Sequence, residues 1–220
     1  MKRVFLACAG LVALAGSAAA ADLPPGPAPY YKAPPAYAPY SWTGFYVGVN
    51  GGGGFGQSTW GSVGSFDLSG GLVGGTVGYN YQIGQAVLGA EGDIDWSDIR
   101  GTSTTVTCPL GCTTGNSWLS TVRGRVGYAA DRFMPYVTGG AAFGNINASS
   151  PGLVGASTTN AGWTVGTGIE FAITGRWSAK AEYLFVDLGK FNCGPNCGGG
   201  FVDNVSFTTN ILRAGVNYRF

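Results

Sequence analysis

Over its last thirteen residues the chain alternates strictly. Thr208, Asn210, Leu212, Ala214, Val216, Tyr218 and Phe220 share one face, apolar from Leu212 onward, while Ile211, Arg213, Gly215, Asn217 and Arg219 share the other. Successive side chains of a strand point to opposite faces, so this period of two predicts a strand with one greasy and one wet side. Seven earlier segments follow the same rule. Phe45, Val47 and Val49 oppose Tyr46, Gly48 and Asn50; Val73, Val77, Tyr79 and Tyr81 oppose Gly74, Thr76, Gly78 and Asn80. Leu88, Ala90, Ile94 and Trp96 oppose Glu91, Asp93 and Asp95; Trp118, Val122, Val126 and Tyr128 oppose Thr121, Arg123, Arg125 and Gly127. Val137, Ala141 and Phe143 oppose Tyr136, Thr138 and Gly140, the least regular of the set. Trp163, Val165, Ile169 and Phe171 oppose Thr164, Gly166, Gly168 and Glu170, and Trp177, Ala179, Ala181, Tyr183 and Phe185 oppose Lys180 and Glu182.

Each segment predicts a strand of about nine to eleven residues, the length that crosses a bilayer when tilted. The connections alternate too. Gln82–Gln85, Ala129–Arg132 and Ile173–Arg176 are short, whereas Gln57–Ser69, Ser97–Ser117, Ile146–Asn160 and Leu188–Phe207 are long, polar and expected to be loops. Short turns at one rim and long loops at the other are the pattern of an outer-membrane barrel. A soluble barrel would have to bury several Trp and Tyr in an eight-stranded interior too narrow for them. The fold predicted is therefore all-β: an eight-stranded antiparallel up-and-down transmembrane β-barrel, apolar face to lipid and charges inward. Tyr79, Tyr81, Trp96, Trp118, Tyr128 and Trp177 would form its interfacial girdles. Composition supports this. Only 10% of residues are charged, well below a soluble domain, and no apolar run reaches the roughly 18 residues of a spanning helix. The net charge of +1 implies no nucleic-acid partner.

Residues 1–20 read as a secretory signal peptide, with Lys2 and Arg3, an apolar stretch to Ala15, and Ala18-Ala19-Ala20 at the cleavage site. Cleavage before Asp22 fits equally. Cys8 in a lipidation site is the weaker reading, since Phe5 stands where a Leu-like residue is required. Residues 21–41 form a Pro/Ala/Tyr-rich periplasmic linker, a spacer with peptidoglycan contact as its alternative, and residues 42–220 the barrel.

The inward face carries Glu91, Asp93, Asp95, Glu170 and Glu182 against Arg123, Arg125, Lys180, Arg213 and Arg219. Buried charges persist only when paired, which predicts an ion-pair network filling the lumen, with Glu91 and Asp93 facing Arg123 and Arg125 across a hairpin. Two functions compete: a structural plug, or a narrow small-solute pore gated by rearranging pairs. A third is adhesion or ligand binding by the outer loops. The chain has no His, the base on which many hydrolases depend, so no catalytic residue is assigned. The Glu91–Asp93–Asp95 spacing is strand alternation beside Arg, so neither a metal nor a cofactor is assigned there. The Gly51–Gly54 run lacks the helix and Lys of a phosphate loop and reads as close strand packing. Cys108 with Cys112, and Cys193 with Cys197, form two local pairs, read as disulfides in an oxidising compartment, a shared zinc site being the alternative.

The signal peptide, the Ala21-Asp22-Leu23-Pro24-Pro25 linker, Trp42-Thr43-Gly44-Phe45-Tyr46-Val47-Gly48 and the terminal Tyr218-Arg219-Phe220 together resemble the small alphaproteobacterial outer-membrane proteins of the porin-family or OmpA-like barrel type. The likeness spans about residues 22–220. It implies location in the bacterial outer membrane and envelope-integrity and surface-antigen roles. It also implies an assembly signal formed by Leu212, Ala214, Val216, Tyr218 and Phe220 that the barrel-assembly machinery reads. Partners expected are the lipid and lipopolysaccharide of that membrane, with the protein a monomer. Some relatives bind haemin, a role that no His of this chain could ligate.

Overall fold

The chain divides into Met1–Ala38 and Pro39–Phe220. A computed structural model describes residues 40–60, 64–105, 108–149, 156–192 and 204–220, all in the second part. The signal peptide and nearly all of the linker lie outside the described residues.

Eight strands make the fold: β1 (Gly44–Trp60), β2 (Gly64–Ile83), β3 (Ala86–Thr105), β4 (Cys108–Tyr128), β5 (Phe133–Ser149), β6 (Ala156–Thr174), β7 (Trp177–Asn192) and β8 (Asn204–Arg219). Each pairs antiparallel with its neighbours in sequence, and β1 pairs with β8, closing the barrel. Closure leaves no free edge along the lipid-facing band, the condition for spanning hydrocarbon. Gly84 (φ 60°) and Gly175 (φ 48°) occupy the left-handed region that two of the tight turns require. Asp131 (φ 53°) does so at the third, a position that Asp tolerates.

The strands are 16 to 21 residues long, about twice the length expected. The described residues of the four stretches assigned to loops are strand. Polarity inverts along most of the strands, β6 excepted, which is why their outer halves read as polar loops. In β8, Leu212, Ala214, Val216 and Tyr218 face out while Arg213 and Asn217 face in. Further out the same parity carries Ser206, Thr208 and Asn210 outward and buried Val205, Phe207 and Ile211 inward. The wall is apolar only where lipid surrounds it. Beyond the membrane it becomes an ordinary soluble barrel, polar outside and greasy inside. With about 3.3 Å per residue and the usual barrel tilt, Asn204–Asn210 carry the wall roughly 15–20 Å past the apolar belt.

The belt itself is plain. Phe45, Val49, Trp96, Val122 and Phe220 are each more than 60% exposed, a contiguous apolar surface that water would not tolerate. In β4 a register shift between Gly115 and Leu119 changes parity, so Asn116 and Leu119 both point inward and Trp118 stays on the outer wall.

Candidate functional site: the barrel interior

Three layers fill the interior. The floor, at the rim of short turns, is apolar: Trp42, Val87, Ala129, Met134, Tyr136 and Ala172, with Tyr40 packed against them. Trp42 reaches this position from before the first strand. Its indole N–H donates to the Asp131 carbonyl (3.0 Å) and its backbone N–H to the Gln82 side-chain oxygen (2.8 Å). The residue opening the first periodic segment is thus a stopper rather than part of the wall.

Above the floor lies the charged layer. Arg123 sits within ion-pair distance of Glu91 (2.5 Å), Asp93 (2.6 Å) and Glu182 (3.1 Å), with its side chain wholly shielded from solvent. Arg213 spans Asp95 (2.6 Å), Asp93 (2.8 Å) and Glu182 (2.8 Å). Arg125 pairs with Glu170 (2.7 Å) and, more loosely, with Glu91 (3.5 Å), and Lys180 crosses the barrel to Glu91 (3.0 Å). Glu170 also accepts from Ser178 (2.6 Å) and Asn217 (2.9 Å). Nine of the ten residues expected in this network are brought together in it.

Arg219 is the exception. It is half-buried, makes no ion pair with a described residue, and lays its guanidinium 4.4 Å from the Tyr40 ring centroid. Its inward position falls at the last residue of β8, below the charged layer and level with the floor, so an aromatic face meets it instead of a carboxylate. The charged layer therefore holds five carboxylates against four cations among the described residues.

Two tyrosines belong to the layer and were not singled out as site residues. Tyr46 donates to Glu91 (2.7 Å) and Tyr136 to Glu182 (2.9 Å). Parity already placed both on the inward face, and a buried hydroxyl needs a partner. Both fit because the facing strand offers a glycine. A Cβ on Gly78 would lie 2.4 Å from the Tyr46 ring end, and one on Gly168 2.6 Å from that of Tyr136. The Tyr–Gly–Glu–Arg set on β1–β4 (Tyr46, Gly78, Glu91, Arg123) recurs on β5–β8 as Tyr136, Gly168, Glu182 and Arg213, so the layer is nearly two-fold.

The third layer, on the outer side, is apolar and was not foreseen. Trp60, Leu68, Ile99, Leu119, Ile146, Leu184, Phe207 and Ile211 pack there, all essentially inaccessible to water. Its polar atoms are matched as well: the Trp60 indole N–H donates to Thr114 Oγ1 (2.9 Å). Ions are thus enclosed between two greasy plugs.

Cys112, buried in this outer part, is disulfide-bonded. Register places it opposite Ser103 and places Cys108 opposite Thr105, so four residues of β4 span two of β3. Cys193 and Cys197 lie outside the described residues. Leu212, Ala214, Val216 and Phe220 face outward, with Tyr218 half-buried between the rings of Trp177 (5.1 Å) and Phe220 (5.4 Å).

A closed eight-stranded barrel with an apolar outer belt and an inward ionic layer defines the class: an integral outer-membrane β-barrel. The comparisons with known proteins give the family. Residues 6–220 match the model of the outer membrane protein beta-barrel domain, and the chain belongs to that family. It is 38% identical over 205 residues to the 31 kDa outer-membrane immunogenic protein of Brucella melitensis, covering 82% of this chain and 85% of that one. It is 32% identical over 224 residues to the 25 kDa outer-membrane immunogenic protein of Brucella abortus, covering 100% and 99%. Among solved structures it is similar to Neisserial surface protein A, at 19% identity and a TM-score of 0.48 over 81% of this chain and 98% of that one. The protein is thus located in the bacterial outer membrane.

Proposed function

We propose that this protein is a closed, non-conducting barrel that contributes to the integrity of the outer membrane and holds its outer strand ends at the cell surface. The observation that carries this reading is the stack of three filled layers. A solute crossing the barrel would have to displace the Trp42 floor, part the ion pairs around Arg123 and Arg213, and then part the Leu184–Phe207–Ile211 plug. A pore gated by ion pairs alone would need only the middle step. The roughly 15–20 Å of strand beyond the belt supports surface presentation, as do relatives whose names record them as immunogenic outer-membrane proteins. In this reading the outward Leu212–Phe220 face serves the assembly machinery, the girdle aromatics seat lipid and lipopolysaccharide, and the disulfides shape only the outer rim.

The test is conductance across a planar bilayer of the refolded protein and of its Arg123→Ala variant. Silence from both, with a heat-modifiable folded band on a gel, is expected. Steady current from the wild-type barrel would refute the closed reading. Current from Arg123→Ala alone would identify the ion pairs as a gate and give the chain to the pore reading.

A further inference from the structure

The charged layer does not balance, and its surplus can be located. Five carboxylates face four cations among the described residues. Glu91, Asp93 and Glu182 each meet two or more of those cations. Glu170 meets Arg125 through one oxygen and engages the other with Ser178 and Asn217. Asp95 meets Arg213 through Oδ2 alone, and its Oδ1 has no hydrogen-bond partner among the described residues. It is the least matched carboxylate of the five, and it is fully buried. A buried charge without a counter-charge is strongly unfavourable.

Glycine makes room beside it. On β1 the inward Asn50 has four inward neighbours, Gly48 and Gly52 along the strand, Gly74 opposite on β2 and Gly215 opposite on β8. Side chains of the next strands lean into this bed. Asn217 lies over Gly48 and Asp95 over Gly74, each with its Oδ1 where a Cβ on the glycine would have to stand. The Asn50 side chain lies beside Asp95. The second polar atom of each residue is taken. Asn217 Nδ2 donates to Glu170 (2.9 Å), Asn50 Nδ2 donates to Thr76 (3.0 Å), and Asp95 Oδ2 accepts from Arg213 (2.6 Å). That leaves Asn50 Oδ1, Asp95 Oδ1 and Asn217 Oδ1, on residues at most 4% exposed, without a hydrogen-bond partner among the described residues. All three are acceptors, so they cannot satisfy one another. Bare buried acceptors gathered over one bed point to a missing positive group.

We infer that Asn50, Asp95 and Asn217 hold one monovalent metal cation of the sodium type over the glycine bed. Oxygen ligands suit a hard cation. One positive charge brings the layer to neutrality, whereas a divalent ion would leave an excess of the opposite sign. The ligands come from β1, β3 and β8, so the ion ties the β1–β8 seam that closes the barrel to the wall beside it. This site lies within the ionic layer and stands whether or not the barrel conducts.

The test unfolds the full chain with urea in phosphatidylcholine vesicles, in sodium chloride and in choline chloride of equal ionic strength. Choline buries its charge among methyl groups and cannot take three oxygen ligands. Expected is a wild-type unfolding constant that falls as sodium rises, approaching about tenfold per tenfold increase, as one bound ion requires, and stays flat in choline. Asp95→Asn keeps the shape and removes the surplus charge, and should abolish the sodium dependence. Asn50→Ala removes one ligand and should weaken it, while Asp67→Asn, an exposed carboxylate elsewhere, should leave it whole. Equal wild-type stability in the two salts, or a sodium dependence that survives Asp95→Asn, would overturn the proposal. Should Asp95→Asn fail to fold, equal sodium dependence in Asn50→Ala and Asp67→Asn would do so. Stability that follows pH but not sodium, and ceases to do so in Asp95→Asn, would give the surplus to a proton, also against it.

Discussion

Arg123 is the residue whose loss tests the interior most directly. It is fully buried and holds Glu91, Asp93 and Glu182 at 2.5, 2.6 and 3.1 Å. Arg123→Ala leaves five carboxylates facing three cations. None is wholly orphaned: Glu91 keeps Lys180 and Tyr46, Asp93 keeps Arg213 and Thr121, and Glu182 keeps Arg213 and Tyr136. Breaking a buried pair by removing one partner costs about 3–5 kcal/mol. The surviving partners favour the lower end, so a loss of about 3 kcal/mol is expected. Arg219→Ala is the matched control. It removes a half-buried guanidinium whose described contact is a tyrosine face, with an expected loss of roughly 0.5–1 kcal/mol. Both are measured by denaturant titration of the barrel refolded into vesicles, following the heat-modifiable band and tryptophan fluorescence. Equal losses for the two variants, or less than about 1 kcal/mol for Arg123→Ala, would mean that the ionic layer does not act as a cohesive unit.

Gly78→Ala places a Cβ 2.4 Å from the Tyr46 ring end and should cost about 1–3 kcal/mol by the same titration, whereas outward Gly51→Ala meets nothing closer than 3.5 Å and should stay within about 0.5 kcal/mol. Trp42→Ala opens the floor. A loss of about 3–5 kcal/mol is expected, with faster hydrogen exchange of the Ala129 and Ala172 amides, and an unchanged exchange pattern would contradict the stopper role. A single Cys placed at Asp131 should resist a membrane-impermeant maleimide on intact cells while one at Thr159 reacts. The reverse result would invert the topology.

How far the interior was legible differs from one contact to the next. The pairing of Glu91 with Arg123 could be read because both lie on one hairpin, and their register in the barrel is direct. The inward tyrosines were legible as parity but not as partners, since their acceptors lie two strands away. The described parts of the four long connections are strand, and most were misread because hydrophobicity changes phase where the wall leaves lipid. A scan for apolar residues on one fixed face registers that change as loop.

By itself, the sequence determined the number of strands, the short-turn rim and the facing of each residue within the belt, because a period of two is a local property of extended backbone. Only the tertiary structure decided which cations meet which carboxylates across the lumen. Lys180 reaches Glu91, Arg125 reaches Glu170 and Arg213 reaches Asp95 through ring closure and strand stagger, which no single hairpin encodes. The same closure set Arg219 one level too low to join them. It also decided that the ions lie between two apolar plugs, because the depth at which polarity inverts is referred to the membrane surface, and the inversions of the separate strands align only once the strands stand side by side.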